Sequence, residues 1–400
     1  MIQPRFVIFF GLLSLIVVSG HVYLYRRLFR DTGGHRGWRR AGVVLMALLA
    51  STILGSRLLT RLFPSEPAFA FATLGWYWMG TATYLLLAVL SLGGLRKLSG
   101  WLERRRAVKP EPAPAPAPVS EERRQFLARA SAGAALAVTG GMASYGVWRA
   151  FTPPVVNEVA VKLPGLPKAL DGFTIVQLSD IHIGPLIQRR FMDAVVAQTN
   201  ALKGDLVCIT GDLVDGSVDE LGFAAGSLMN LRSRYGTHFI TGNHEYYSGD
   251  EEWAEALTRM GLTVLRNRHV RIGEPGASFD LVGVDDWGAE RSGYPRQRSY
   301  DLATATAGRD PSRAAVLLAH QPSGWREQAL KAGIGLQLSG HTHGGQFFPF
   351  NLVVSAVWEH PAGLFRDGDN HLYVSRGTGF WGPPLRVAAP PEIVKVTLLA

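Results

Sequence analysis

The chain has 400 residues, 47% of them hydrophobic, with a mean hydropathy of +0.09 and a net charge of +9. It is longer than one average domain and too apolar for a purely water-soluble protein. Residues 1–150 carry 19 Lys+Arg against 6 Asp+Glu, a net of +13, whereas residues 151–400 carry 22 against 26, a net of −4. The pI of about 9.8 therefore belongs to the apolar amino-terminal part, as membrane topology, and a polyanion-binding surface is excluded as its cause. The single cysteine, Cys208, excludes an internal disulfide, and its apolar run 205–210 reads it as a small buried hydrophobe.

Apolar stretches at 6–25, 41–59 and 71–92 each approach the ~20 residues needed to cross a hydrocarbon core. Arg26, Arg27, Arg30, Arg36, Arg39 and Arg40 follow the first, and Arg96, Lys97, Arg104, Arg105, Arg106 and Lys109 follow the third. Only Arg61 lies close to the second connection, so both basic loops are expected in the cytoplasm and the N-terminus outside. The spans contain almost no ionisable residue in mid-membrane, Arg57 lying near an end, which argues against an ion or proton path.

A Pro/Ala spacer at 111–118 marks a domain boundary. Next come Arg123-Arg124-Gln-Phe126-Leu127 and a mild apolar run at 130–147, which resemble a twin-arginine export signal. Glu122 stands where that pattern has Ser or Thr, and the segment is internal; the alternative is an ordinary fourth membrane helix. Both readings place the C-terminal part outside the cytoplasm, anchored in the inner membrane by a multi-pass region. No A-x-A cleavage site follows, so the segment is expected to stay as an anchor. The expected organisation is three transmembrane helices in 1–106, a linker at 107–122, the signal or fourth helix at 123–150, and a globular domain at 151–400.

From about Pro153, short β-rich runs alternate with helical ones. Strands are predicted at 173–178, 205–210, 237–241, 279–284, 314–319, 335–338, 372–375 and 393–398, with helices at 189–202, 221–232 and 251–260. This alternation predicts an α/β layered domain whose ligands sit at the carboxyl ends of strands. Reactive residues do follow the runs: Asp180 and His182, then Asp212 and Asp215, then Asn243 and His244, then His320, then His341 and His343. Five strand ends would bring these to one rim of a sheet, and alternation along an extended segment would point His341 and His343 the same way.

The mixed N/O set has no thiolate, which disfavours a structural zinc site and suits a pair of Mn, Fe or Zn ions bridged by one carboxylate. The series Asp180-x-His182, Gly211-Asp212-x-x-Asp215, Gly242-Asn243-His244-Glu245, His320 and Gly340-His341-x-His343 resembles the calcineurin-like metallophosphoesterases across 174–346. The amino-terminal half and Gly344-Gly345-Gln346 are most similar to a membrane-anchored, exported subgroup.

The resemblance implies a four-layer α/β/β/α sandwich behind the membrane helices and two divalent or trivalent metal ions. Asp180, His182 and His343 would hold one metal, Asn243, His320 and His341 the other, and Asp212 would bridge them. A metal-bridging hydroxide would attack the phosphate ester, His244 would protonate the leaving oxygen, and Asp215 would orient His244. Substrate contacts are expected from Asn243, His244 and Asp286, the last at another strand end beside Asp285. Glu245 is read as a supporting residue. His238, His269, His360 and His371 are read as ordinary polar residues. The loop 377–384 would line a groove, meet the membrane through Phe380 and Trp381, or pack on the domain. The expected partners are a phosphodiester or pyrophosphate substrate, lipid-linked or nucleotide-containing, the bilayer, and the twin-arginine machinery, with no nucleic acid. The rival reading is a metal-binding membrane sensor or scaffold without turnover.

Overall fold

The computed structural model describes residues 4–63, 65–106, 120–287 and 298–400, so the Pro/Ala spacer and most of the expected linker lie outside the described residues. The chain divides into two compact units, Met1–Tyr145 and Gly146–Ala400. The first contains α1 (Pro4–Tyr25), α2 (Arg36–Leu62), α3 (Glu66–Arg106) and most of α4 (Glu121–Phe151). All four helices are long and apolar enough to cross a membrane. They outrun the apolar stretches because Arg, Lys, Leu and Glu in the flanks are themselves good helix formers. Leu24, Leu28, Met46, Leu85, Val89 and Ala135 form this unit's packed centre, and Trp78 Nε1 donates to His21 Nε2 at 2.8 Å. The twin arginines occupy the first turn of α4, where Arg124 pairs with Glu121 at 2.6 Å on an exposed face.

The second unit runs β1 (Val155–Lys162), β2 (Thr174–Leu178), α5 (Arg189–Ala201), β3 (Leu206–Thr210), α6 (Val218–Ala225), β4 (Thr237–Ile240), α7 (Asn243–Ser248), α8 (Asp250–Arg259), β5 (Thr263–Val264), β6 (Arg268–Glu274) and β7 (Ala277–Gly283). It continues with α9 (Leu302–Thr306), β8 (Ala315–Leu318), β9 (Leu336–Ser339), α10 (Phe350–Val357), β10 (Gly363–Asp367), β11 (Asn370–Val374) and β12 (Glu392–Leu399). Two six-stranded mixed sheets result, ordered β1-β12-β2-β3-β4-β5 and β10-β11-β9-β8-β7-β6. Within them β2, β3, β4 and β5 run parallel, as do β7, β8, β9 and β11.

Parallel strands covered on both faces need continuous apolar runs, and Leu206-Val-Cys-Ile-Thr210 is buried throughout, Cys208 included. Ile175, Leu206 and Val396 of the first sheet share one core with Leu281, Val316 and Leu338 of the second. The outer face of the first sheet packs Val176 and Ile209 against Val195, Leu221 and Trp253 of α5, α6 and α8. In the second sheet, Val282 and Leu317 pack against Leu302 of α9 and Trp325. Gln177 Nε2 ties the sheets together inside this core, donating to Thr210 Oγ1 of β3 and Ser339 O of β9, both at 2.9 Å.

The strands that the apolar runs did not announce are β1, β5, β6 and β10, which are the four sheet edges. β6 carries Arg268, His269, Arg271 and Glu274, and β10 carries Arg366 and Asp367. Edge strands tolerate and use such charges, so pairing rather than composition makes them strands. The predicted helix 221–232 is instead α6 followed by a 3₁₀ turn, Gly226–Asn230.

His238 on β4 gives the fold a pH dependence. Burial, assisted by the charge on Arg268, pulls its imidazole down to about 4 from an ordinary 6.5. Between those values the unfolded chain binds a proton that the folded chain does not, so stability falls as the pH drops from 6.5 towards 4, by up to about 3 kcal/mol. Thermal unfolding of the detergent-solubilised chain at pH 7 and 4.5 should show a smaller acid-induced drop in Tm for His238→Gln than for wild type; equal drops would refute this.

Candidate metal centre

The first three segments of the site leave the carboxyl ends of β2, β3 and β4, which lie side by side. Beyond the strands the chain turns sharply. Asp180 N donates to Gly211 O at 3.0 Å and His182 N donates to Asp212 O at 3.1 Å, so the first two turns brace each other. Asp180, His182, Asp212, His341 and His343 all have left-handed backbones, with φ between +50° and +72°. Such conformations cost of order 1 kcal/mol or more for a side-chain-bearing residue and persist where the surroundings over-determine them.

His320 and His341 arrive from β8 and β9 of the other sheet. The site is therefore built across two sheets, not on one rim, which corrects the sequence expectation. The parallel orientation of His341 and His343 is also corrected. Their left-handed backbones break the strand's alternation, sending His341 to His320 and His343 to His182. Gly340 permits this crowding, since a Cβ there would collide with Asp180 Oδ2 and Ser179 Oγ.

Three overlapping ligand groups emerge among the described residues: Asp180 with His182 and His343, Asp212 with His320 and His341, and His182 with Asp212 and His244, the potential ligand atoms of each lying within 4.8 Å of one another. His182 Nε2 is 3.1 Å from His343 Nε2, and His341 Nδ1 is 3.2 Å from His320 Nε2. Asp212 Oδ2 stands between the groups, 3.2 Å from His320 Nε2 and 3.8 Å from His182 Nε2. Asp180 Oδ2 and Asn243 Oδ1 are buried with no hydrogen-bond partner. Clustered imidazoles and carboxylates with no sulfur form a donor set that fits hard or borderline divalent cations.

The outer partners fix the rings. His320 Nδ1 lies 2.8 Å from Thr210 O and His182 Nδ1 lies 3.0 Å from Asp215 Oδ1, so each ring turns Nε2 inward. The same Asp215 oxygen is 2.6 Å from His244 Nδ1, and His244 N donates to Asp212 Oδ1 at 2.9 Å. The His244 ring meets His182 edge-on at 4.7 Å and Tyr247 and Trp381 each at 5.5 Å.

Burial opposes the Asp212 carboxylate, but His320, His244 and His182 more than offset it and hold it well below the usual range. Burial raises the Asp180 carboxyl, with Asp212 adding to the effect and His320 opposing it. Burial also lowers His244, yet Asp212 and Asp215 carry it up to about 9. His341 goes the other way, pulled down to about 3 by burial and by His320. The centre thus sets an imidazole shifted up, His244, and one shifted down, His341, around the strongly lowered Asp212 carboxylate.

Glu245 is fully buried and accepts backbone N–H groups from Gly242 (2.6 Å), Asp212 (3.0 Å), Leu213 (2.8 Å) and Val214 (3.3 Å), locking the turn after β4 to the turn after β3. Arg386, which the sequence reading passed over, is entirely buried, with Nη2 2.9 Å from His343 Nδ1 and Nη1 donating to Arg376 O at 2.7 Å. Its only sequence signal is a lone cation in the apolar, proline-flanked stretch 383–391. Asp285 is held by Arg266 and Thr241 in a buried ion pair, and Asp286 accepts from Gln321 Nε2 at 3.1 and 3.0 Å. Within the loop 377–384, Phe380 is buried in the helix-covered core while Trp381 stays half-exposed beside His244. His238, His269, His360 and His371 join none of the ligand groups found among the described residues.

Residues 173–345 match the family model described as calcineurin-like phosphoesterase. A zebrafish (Danio rerio) protein named as a transmembrane protein with metallophosphoesterase domain is 34% identical over 99% of this chain and 89% of its own length. A cattle (Bos taurus) protein of the same name is 40% identical over 66% of this chain and 62% of its own. A Bacillus subtilis protein named as a metallophosphoesterase is 32% identical over 69% of this chain and 97% of its own.

Replacing Glu245 by Gln would turn an amide NH₂ towards backbone donors that have no other acceptor at that oxygen. The expected cost is about 1–3 kcal/mol, read as a lower Tm for the solubilised chain together with weaker Mn binding by isothermal titration. An unchanged Tm and unchanged affinity would remove Glu245 from the framework of the site.

Proposed function

The chain belongs to the calcineurin-like metallophosphoesterases, and from that premise we propose that it is a membrane-anchored hydrolase of phosphodiester or pyrophosphate bonds working with two metal ions. The observation that carries this reading is Asp212 Oδ2, 3.2 Å from His320 Nε2 and 3.8 Å from His182 Nε2, which joins the group of Asp180, His182 and His343 to that of His320 and His341. In this reading Asp180, His182 and His343 would hold one cation and Asn243, His320 and His341 the other, with Asp212 serving both. The pair is Mn, Fe or Zn; when bound, it neutralises charge on the phosphoryl oxygens and supplies hydroxide at neutral pH.

The protein groups do the rest. His244 gives its proton to the leaving oxygen, and Asp215, 2.6 Å from its Nδ1, keeps Nε2 aimed into the site. Asn243 and His244 contact the substrate phosphate. Asp286, fastened by Gln321, is read as a further substrate contact. Trp381 and Tyr247 flank His244 and thin out water around the proton donor.

The two sheets with their covering helices are read as a four-layer α/β/β/α sandwich, delivered outside the cytoplasm. Four membrane-length helices and the charge asymmetry of their flanks support that topology. The Arg123-Arg124 pair supports export through the twin-arginine machinery. The acidic balance of residues 151–400 argues against nucleic acid as substrate and leaves an envelope lipid-linked or nucleotide-containing ester.

Purified chain in detergent should hydrolyse bis-p-nitrophenyl phosphate when Mn is supplied and stop when a chelator is added. Asp212→Asn should lower kcat about 100-fold or more, and His244→Asn about 10²–10³-fold with Mn binding retained. Wild type that binds Mn yet turns over no faster than Asp212→Asn would replace the hydrolase with a metal-binding sensor.

A further inference from the structure

One surface of the second unit is out of keeping with a water-facing role. From Phe347 to Trp358 the chain carries no charged residue, and α10 within it buries no side chain at all. Phe350, Leu352, Val353 and Val357 are 46%, 58%, 54% and 73% exposed. An amphipathic surface helix normally shows its polar face to solvent, and α10 presents its apolar one.

This helix is joined to the metal centre at both ends. Its first turn packs on Gly345, two residues beyond His343, so closely that a Cβ on Gly345 would collide with Asn351 Cα. The Trp358 ring, just past its last turn, meets His341 edge-on at 5.2 Å. Gln346, before the helix, donates to Trp381 O (2.8 Å) and Pro383 O (2.9 Å) and accepts from Trp381 N (2.9 Å). Trp381 in turn is the ring that flanks His244.

Through residues 380–387 the same segment is linked to the last turns of α4. Phe348 N donates to Val387 O at 2.9 Å, Arg386 N donates to Gly146 O at 3.1 Å, and Phe380 meets Phe151 edge-on at 5.1 Å. Gly146 and Phe151 are the closing turns of a helix long and apolar enough to span a membrane. Only Thr152, Pro153 and Pro154 separate that helix from β1, a tether of roughly 14 Å at full extension. An uncharged apolar helix linked through residues 380–387 to the closing turns of a membrane-length helix has a bilayer within reach.

We propose that α10, with Phe348 and Trp381, is a bilayer-inserting lip of the metal centre, and that the phosphoester entering the site is carried on an acyl lipid in the adjoining leaflet. The chemistry rests on the hydrolase reading above; the lip adds the substrate class. With the apolar face of α10 among acyl chains, the His341 and His244 sides of the centre lie at headgroup depth, where a lipid phosphate is found.

The test uses the full chain in phospholipid vesicles. Cys208 is completely buried, so a cysteine introduced at Val353 or at Val357 can be labelled selectively with bimane, and Glu255→Cys on the acidic helix α8 serves as reference. Lipids bearing nitroxides about 5–10 Å below the headgroups should quench Val353 and Val357 labels roughly threefold more than the Glu255 label, with aqueous iodide showing the reverse order. Lip labels quenched by iodide as strongly as the reference would overturn the proposal, and so would labels shielded from both quenchers, because a second copy or another protein would then cover the helix. Hydrolysis of bis-p-nitrophenyl phosphate by the same samples keeps the two readings apart. Turnover without lipid quenching sinks the lip alone, and lipid quenching without turnover sinks the hydrolase and the substrate class while leaving the surface assignment in place.

Discussion

Burying several carboxylates in one place is the constraint that the second unit answers. Asp180, Asp212 and Glu245 are almost completely withdrawn from water at the ends of adjacent strands. An isolated buried carboxylate is too costly to keep ionised, so it must be surrounded by cations or hydrogen-bond donors. Glu245 is answered by four peptide N–H groups, Asp212 by imidazoles and the His244 amide, and Asp180 by the His341 amide and nearby His343. One oxygen of Asp180 and one of Asn243 are left without a hydrogen-bond partner.

Meeting that constraint shapes the backbone. Parallel strands project their carboxyl ends together, and the left-handed residues after them turn each side chain back over the sheet edge. The two sheets must be held in fixed relation for His320 and His341 to reach Asp212. A shared apolar core and the buried Gln177 amide do this, while Arg386 braces the far side of His343. A buried amide in such a place trades stability for a unique register.

Much of this was legible in the residues themselves, and the limits have physical causes. Central strands announce themselves because both faces are covered, as Leu206–Thr210 illustrates, and reactive residues directly after such runs betray a site. Edge strands β1, β5, β6 and β10 gave no such signal, since one side of each is free to carry charge or is too short to show a pattern. Alternation misled at His341 and His343 because it assumes extended backbone, and the local conformation is left-handed. Arg386 and Gln321 escaped notice for another reason. Their roles depend on partners dozens of residues away, His343 and Asp286, and no local spacing encodes that.

One oxygen of Asp215 lies within hydrogen-bonding reach of both His182 and His244. A carboxylate oxygen shared in this way makes the placement of the two rings one problem rather than two. Neither imidazole can swing away without surrendering the acceptor that also orients its neighbour. The stretch after β2 and the start of α7 are thereby held in mutual register by a single side chain of the turn after β3.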